Sequence, residues 1–355
     1  MILVVKQRLN CIVRPAIVLA FLLCLVACDS SPKKVQLQGA VFGTTWNVTY
    51  HGAPEGLTDK DVEGAITRAF SVVDDSMNNY RASSTLSQLN SLPAGQIFEV
   101  DWDFTLVFNA AIDIHQATTG AYDPSVAPLI NLWGFGPEGV TERPTEEQLT
   151  IARSYSGLNQ FAWDLSDRSF LKRNTRATLD FSSIAKGYAV DLAGDALDEI
   201  GVANFMLEVG GEIQTRGVSP RGDHWRLAIE NPMRAGVGKP YAAVSVSDVG
   251  IATSGNYRNF FEVDGKRFSH LIDPRTGYPI AHDLISATVI HPSTMIADAW
   301  ATALMVVGTA EALRLANLYD LSVYLISRNG EQLISSHNEG MSRWLIESDN
   351  GEMIP

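Results

Sequence analysis

The sequence predicts an α+β fold in which largely antiparallel sheets pack with helices. Three observations carry it. Short runs of apolar and β-branched residues crowd the second half of the chain, turn-forming dipeptides separate several of them, and only a few stretches have the 3.6-residue period of helices. Regular βαβ winding would alternate the two kinds of segment, and no GxGxxG follows a strand, so a Rossmann fold is disfavoured.

The N-terminal stretch MILVVKQRLNCIVRPAIVLAFLLCLVAC places Lys6, Arg8 and Arg14 ahead of an apolar run from Ala16 to Ala27. A basic segment followed by a short apolar one is the pattern of an export signal. The competing reading is a membrane anchor, but a spanning helix needs about 20 apolar residues and this run is shorter. Its ending, Leu25-Val26-Ala27-Cys28, resembles a bacterial lipobox, which implies cleavage before Cys28 and acylation of that cysteine. Asp29 resembles an inner-membrane retention signal of Gram-negative lipoproteins. The expected organisation is a signal peptide over residues 1–27, a lipidated Cys28 with a polar tether over 28–38, and one catalytic domain over 39–350.

Cysteine usage and charge narrow the chemistry. Cys11, Cys24 and Cys28 are the only cysteines, all at or before the expected cut, so the mature domain has no internal disulfide, thiol nucleophile or thiolate metal site. The chain carries a net charge of −13, and losing three cations with the signal leaves the mature form near −16. Such a surface disfavours nucleic acid as a ligand. An anionic substrate would need a metal, helix N-termini or a few placed cations.

In chain order, GAVFGTTWNVTY (39–50) reads as an alternating strand with Gly43 inside it. Helical periodicity follows over 59–80 and over 104–120, where Gly120 stops it, and again over 182–201 and 293–308. Strands are predicted within 225–232, 241–255, 260–274, 284–292 and 322–336, with Asp264-Gly265 and Asn329-Gly330 as hairpin turns.

Four stretches carry candidate chemistry. In IADAWATAL, Asp298 and Thr302 are four residues apart and share a helix face, so a carboxylate and a hydroxyl can meet at one point. These are hard oxygen donors suited to Mg²⁺ or Ca²⁺. The competing reading makes Asp298 a helix cap, although Ser293 and Thr294 lie nearer the start. In LDFSSIAKGYAVDLAG, Asp180 ends a strand and Ser182 or Ser183 can cap a helix starting near Ile184. Lys186 in the first turn could help that N-terminus hold a phosphate, and Gly187 permits close approach. An ordinary capped helix with Lys186 in solvent is the alternative. GAYDPSVAPLINLWGFG sets Tyr122 and Asp123 before a proline, and SHLIDPRTGYPI sets His270 on a strand ahead of Asp273-Pro274. Taken singly these read as turns and a structural histidine.

Together, these segments resemble the ApbE-type FAD:protein FMN transferases. The match is co-linear through FGTTWNV, MNNYRASSTLSQLN, GAYDPSVAPLINLWGFG, LDFSSIAKGYAVD, LEVGGEI, IATSGNYRNFF, HLIDPRTGYPI and ADAWATALMVVG. The resemblance implies that family's transferase fold and a Mg²⁺ held by the Asp298 carboxylate, the Thr302 hydroxyl and the Ser183 carbonyl. It also implies FAD contacts at Tyr80, Ala121, Tyr122, Asp123, Asp180, Lys186 and Ile272. Phe42 stands where many relatives have methionine and is a further flavin or adenine contact. Gly210 and Gly211 fit either cofactor approach or strand bending. The implied reaction passes FMN from FAD to a threonine hydroxyl of a partner protein, releasing AMP. Asp298 is then catalytic through the metal, and His270 is the candidate base, with a purely orienting role as its competitor. The implied clients are flavinylated subunits of Na⁺-translocating NADH:quinone oxidoreductase or Rnf-type complexes, reached from the periplasmic face of the inner membrane. FAD hydrolysis to FMN and AMP, or flavin binding without turnover, are the alternatives.

Overall fold

Eight strands form one fully antiparallel sheet whose spatial order follows the chain: β1 (Val35–Val41), β2 (Thr44–His51), β3 (Asn204–Val209), β4 (Glu212–Arg216), β5 (Gly250–Gly255), β6 (Leu284–His291), β7 (Ser322–Asn329) and β8 (Gln332–His337). The computed structural model describes residues 33–136, 143–233, 239–257, 260–263 and 266–346. The expected export signal, Cys28 and the expected Asp264-Gly265 turn lie outside these. The antiparallel α+β expectation holds, and the Rossmann alternative is absent from the sheet.

Helices enter as insertions between neighbouring strands. Between β2 and β3 come α1 (Asp59–Met77), α2 (Trp102–Ala117) and α3 (Ala185–Glu199); between β6 and β7 come α4 (Thr294–Val307) and α5 (Thr309–Leu318). A capping box at Thr58 and Asp61 starts α1, and the Asp101 side chain accepts the Phe104 N–H at the start of α2. α1 packs on α3, α3 on α4, and α4 on β5 and β6.

Strands near α4 bury both faces. Val323 and Leu325 join the core beneath the helices, whereas Tyr324 and Ile326 join a second core on the opposite face, covered by a hairpin of Trp225–Glu230 and Pro240–Val246. This is why LISATVI and SVYLI read as nearly continuous apolar runs. Shorter pieces, Ile97–Glu99, Phe161–Asp164 and Ser169–Lys172, make a separate three-stranded sheet.

Two expectations at the start of the domain need correction. Residues 35–38, predicted as tether, belong to β1, because Val35 and Leu37 alternate with Gln36 and Gln38 in the period of a strand. Gly43 lies in a hairpin turn, not inside a strand. Phe42 (φ 50°) and Gly43 (φ 74°) both take left-handed backbone, as a two-residue type I′ turn requires. The predicted turn at Asn329-Gly330 is displaced by one residue: Asn329 pairs with Gln332, and Gly330 takes φ 62° at the first loop position.

Candidate active site

The site begins where α3 and α4 touch. Gly187 packs so closely on α4 that a Cβ there would lie 2.5 Å from the Thr294 carbonyl oxygen and 2.7 Å from Met295 Cα. Gly250 of β5 meets the same turn, with a Cβ position 2.6 Å from Thr294 Cα. The contact lets the Gly187 N–H donate to Asp298 Oδ2 at 3.1 Å, placing the Asp298 carboxylate at the positive end of α3.

Asp191, one turn further along α3, locks this arrangement. Its carboxylate accepts from the Ser293 hydroxyl at 2.7 Å and from the N–H groups of Thr294 at 2.8 Å and Met295 at 3.0 Å, while Ser293 caps through the Ile296 N–H. The start of α4 is therefore capped without Asp298. That removes the capping alternative for Asp298, which remains 3% exposed yet lines a cavity of about 800 Å³.

The expected cap on α3 is not made. Ile184 is its cap residue and contributes no side-chain bond. The Ser182 N–H instead donates to Asp180 Oδ1 at 2.6 Å, closing an Asx turn, and the Ser183 hydroxyl donates to the Tyr122 hydroxyl at 3.0 Å. A second Asx turn at Asp123, accepting from the N–H and hydroxyl of Ser125, shapes the adjoining loop. The Asp180 N–H donates to the Pro124 carbonyl at 2.7 Å and ties the two loops together.

Ala121, Tyr122, Asp123, Asp180, Ser183, Lys186, His270, Ile272, Asp298 and Thr302 all line the one cavity. The Thr302 hydroxyl shares a 3.0 Å hydrogen bond with Ser254 of β5, and His270 meets the Phe135 ring edge-on at 6.2 Å between centroids. Gly210 (φ 60°) and Gly211 (φ 112°) make the β3–β4 turn on the cavity wall, so close approach and chain reversal coincide there. Two expected contacts lie elsewhere. Phe42 turns away from the lining and meets Phe70 edge-on at 5.8 Å, and Tyr80 is 81% exposed on the turn after α1, also outside the lining.

Electrostatics single out the cluster around Asp298. Burial pushes its carboxyl above the usual range, Asp191 adds to this, and Lys186 and the Gly187 N–H oppose it. Glu212, which sequence reasoning missed, pairs with Lys186 at 2.5 Å; burial and the facing Asp298 push its carboxyl up to about 8. Burial pulls the Lys186 ammonium down, but Asp298 and Glu212 outweigh this and hold it above its ordinary value. Lys186 is thus a half-buried ion-pair member and not a freely solvated lysine. Three carboxylates, those of Asp298, Glu212 and Glu208, act on one ammonium, so the cavity floor is short of positive charge.

The model of the ApbE family matches residues 42–325. The chain belongs to the ApbE family. It is 37% identical over 333 residues to a Haemophilus influenzae protein named FAD:protein FMN transferase, covering 92% of this chain and 96% of that one. A Vibrio cholerae relative of the same name is 38% identical, covering 89% and 94%. Among solved structures, the flavin transferase ApbE from Vibrio cholerae superposes with a TM-score of 0.81 at 35% identity, covering 88% of this chain and all of that one. The apo flavinyl transferase ApbE from Pseudomonas stutzeri gives 0.80 at 35% identity, covering 88% and 96%. These two solved relatives thus share the fold of this chain over essentially their whole length.

Proposed function

We propose that the protein transfers FMN from FAD to a threonine hydroxyl of a partner protein, with Mg²⁺ as its resident metal. The observation that carries this reading is the convergence of Asp298, Thr302 and Ser183 on the cavity that also holds Lys186 and the start of α3. Family membership supports the flavin chemistry; the donor set supports the metal. The proposed donors are a carboxylate, a hydroxyl and a backbone carbonyl, all hard oxygens, at a cavity with an excess of carboxylates. The Asp298 carboxylate, the Thr302 hydroxyl and the Ser183 carbonyl would hold the ion, which neutralises charge on the pyrophosphate when bound.

The chain's own groups perform the rest. Lys186 attracts phosphate oxygens, with Glu212 fixing the ammonium in place, while the start of α3 holds the Asp298 carboxylate through the Gly187 N–H. The loops of Tyr122 and Asp180 form one wall of the FAD cavity. The acceptor hydroxyl attacks the FMN-side phosphorus, its proton passes to the neutral imidazole of His270, and the bond from that phosphorus to the AMP oxygen breaks as the new one forms. Positioning and charge neutralisation account for most of such a transfer.

The acceptors are flavin-carrying subunits of Na⁺-translocating NADH:quinone oxidoreductase or Rnf-type complexes, met at the periplasmic face of the inner membrane, where Cys28 anchors the chain. The test is mass spectrometry of such a subunit after incubation with the full chain, FAD and Mg²⁺. The expected product is one FMN adduct on threonine, lost with chelator. AMP release at the same rate without acceptor would favour hydrolysis and overturn the transferase reading.

A further inference from the structure

We propose that Ser254 is a positioning residue for the cation site: its oxygen accepts the hydroxyl hydrogen of Thr302 and so keeps the lone pairs of Thr302 available to the ion. This role rests on the Mg²⁺ reading above.

A threonine in a helix commonly spends its hydroxyl hydrogen on the carbonyl four residues back. This chain does so repeatedly: Thr67 donates to Glu63, Thr105 to Asp101, Thr118 to Ile114 and Thr150 to Glu146, at 2.7 to 3.0 Å. Thr302 departs from the habit. Among the described residues the one partner of its hydroxyl is the Ser254 hydroxyl, 3.0 Å away on β5, so the side chain bonds across to the strand and not back along α4. Both residues line the cavity together with Asp298.

The pairing follows from how β5 and α4 run. Gly250 meets Thr294 where the helix starts. From Gly250 to Ser254 a strand advances about 13 Å, and from Thr294 to Thr302 a helix advances about 12 Å, so the two hydroxyls arrive at the same level. β6 pairs with β5 from Gly250 to Gly255, and α4 packs on both strands, which fixes Ser254 in place.

A hydroxyl has one hydrogen and two lone pairs. A cation is met by a lone pair and repels the hydrogen, which then needs an acceptor pointing elsewhere. Ser254 supplies that acceptor. Without it, Thr302 can turn its hydrogen back to the Asp298 carbonyl, as the other helical threonines do, and its oxygen loses the orientation the ion requires.

The experiment titrates Mg²⁺ into the full chain by isothermal calorimetry, without FAD, for wild type, Ser254→Ala, Thr302→Val and the double variant, with a denaturant melt of each. Mg²⁺ affinity is expected to fall about tenfold in Ser254→Ala, as when a partner that orients a metal ligand is removed. In the Thr302→Val background the same change should have no further effect, because Ser254 acts through that hydroxyl. Ser254→Cys, close in shape but a weak acceptor, should lose affinity too and serves if the alanine variant does not fold. Unchanged affinity in the folded Ser254 variant, with only a lower melting midpoint, marks a structural link between strand and helix and overturns the proposal. An equal loss with and without the Thr302 hydroxyl overturns it as well. Asp298→Asn separates this outcome from the metal reading. If wild type and Asp298→Asn bind Mg²⁺ alike, the metal reading falls and takes the role of Ser254 with it; if Asp298→Asn loses the ion while Ser254→Ala keeps wild-type affinity, the metal reading stands and only the role of Ser254 falls.

Discussion

Gly187 is the residue on which the geometry turns. Any side chain there meets backbone atoms of α4, which cannot swing aside as a flexible side chain would. Gly187→Ala is therefore expected to destabilise the protein by about 2 to 3 kcal/mol, in the range of overpacked cores. It should also depress transfer beyond the loss of folded protein, since the displaced carboxylate is that of Asp298; denaturant melts alongside activity per folded molecule check both. Asp298→Asn keeps the shape and removes the charge, so the fold should survive while Mg²⁺-dependent transfer falls about a hundredfold or more. Steady-state rates across a Mg²⁺ titration decide it. Lys172 offers a test away from the site. It is fully buried, donates to the Asn90 and Thr175 carbonyls, and burial lowers its pKa to about 8 from an ordinary 10.5. Below pH 8 both folded and unfolded states carry the proton and the cost of burying the charge is constant. Between about 8 and 10.5 the unfolded chain binds more protons, so this lysine's contribution to stability becomes more favourable as pH rises. Lys172→Met should abolish that rise, seen as a stability difference from wild type that changes only across this window.

At the scale of elements, Asp191 sets the register of α3 against α4. Its carboxylate receives three donors from the start of α4, so Asp191→Ala should cost about 1 to 2 kcal/mol, as the loss of a helix cap does. Transfer should weaken with it because Asp298 sits on the helix thus loosened; Asp191→Asn, which retains an acceptor oxygen, should recover part of both. Chemical denaturation and kinetics of the pair measure this. Asp191 shows why part of the site was illegible in the sequence. The acidic residues of VDLAGDALDE recur at helical spacing, and nothing local says that one of them reaches a helix 102 residues away. Glu212 was hidden in the same manner, on a strand whose alternation gives no hint of a lysine opposite. What periodicity does reveal was read from the residues: the four long helices, most strands and the Asp298–Thr302 face; Gly187 was expected to admit a phosphate and instead admits α4. The Phe42-Gly43 turn escaped because type I′ turns favour Asn-Gly, and an aromatic residue at φ 50° is held there by its contact with Phe70, not by turn preference.

For the whole molecule, charge and anchorage pull in opposite directions. With the expected signal removed the chain would stand near −16, and its surface would gain nothing from an anionic leaflet. Among the described residues no helix is long and apolar enough to cross a membrane. On the proposed reading the acyl group on Cys28 holds the chain at the membrane, and residues up to Val35, where the sheet begins, are the reach between lipid and domain. Six residues from 29 to 34 span at most about 20 Å, so the proposed anchor would hold the domain within that distance of the bilayer. Cys28→Ser should move the protein from the pelleted membrane fraction to the soluble one on cell fractionation. Transfer to a soluble acceptor should stay within about twofold, because loop-tethered domains keep their local chemistry, while flavinylation of a membrane-bound acceptor should fall with the loss of local concentration. A Cys28→Ser chain that still pellets with membranes would show that some other contact holds it there.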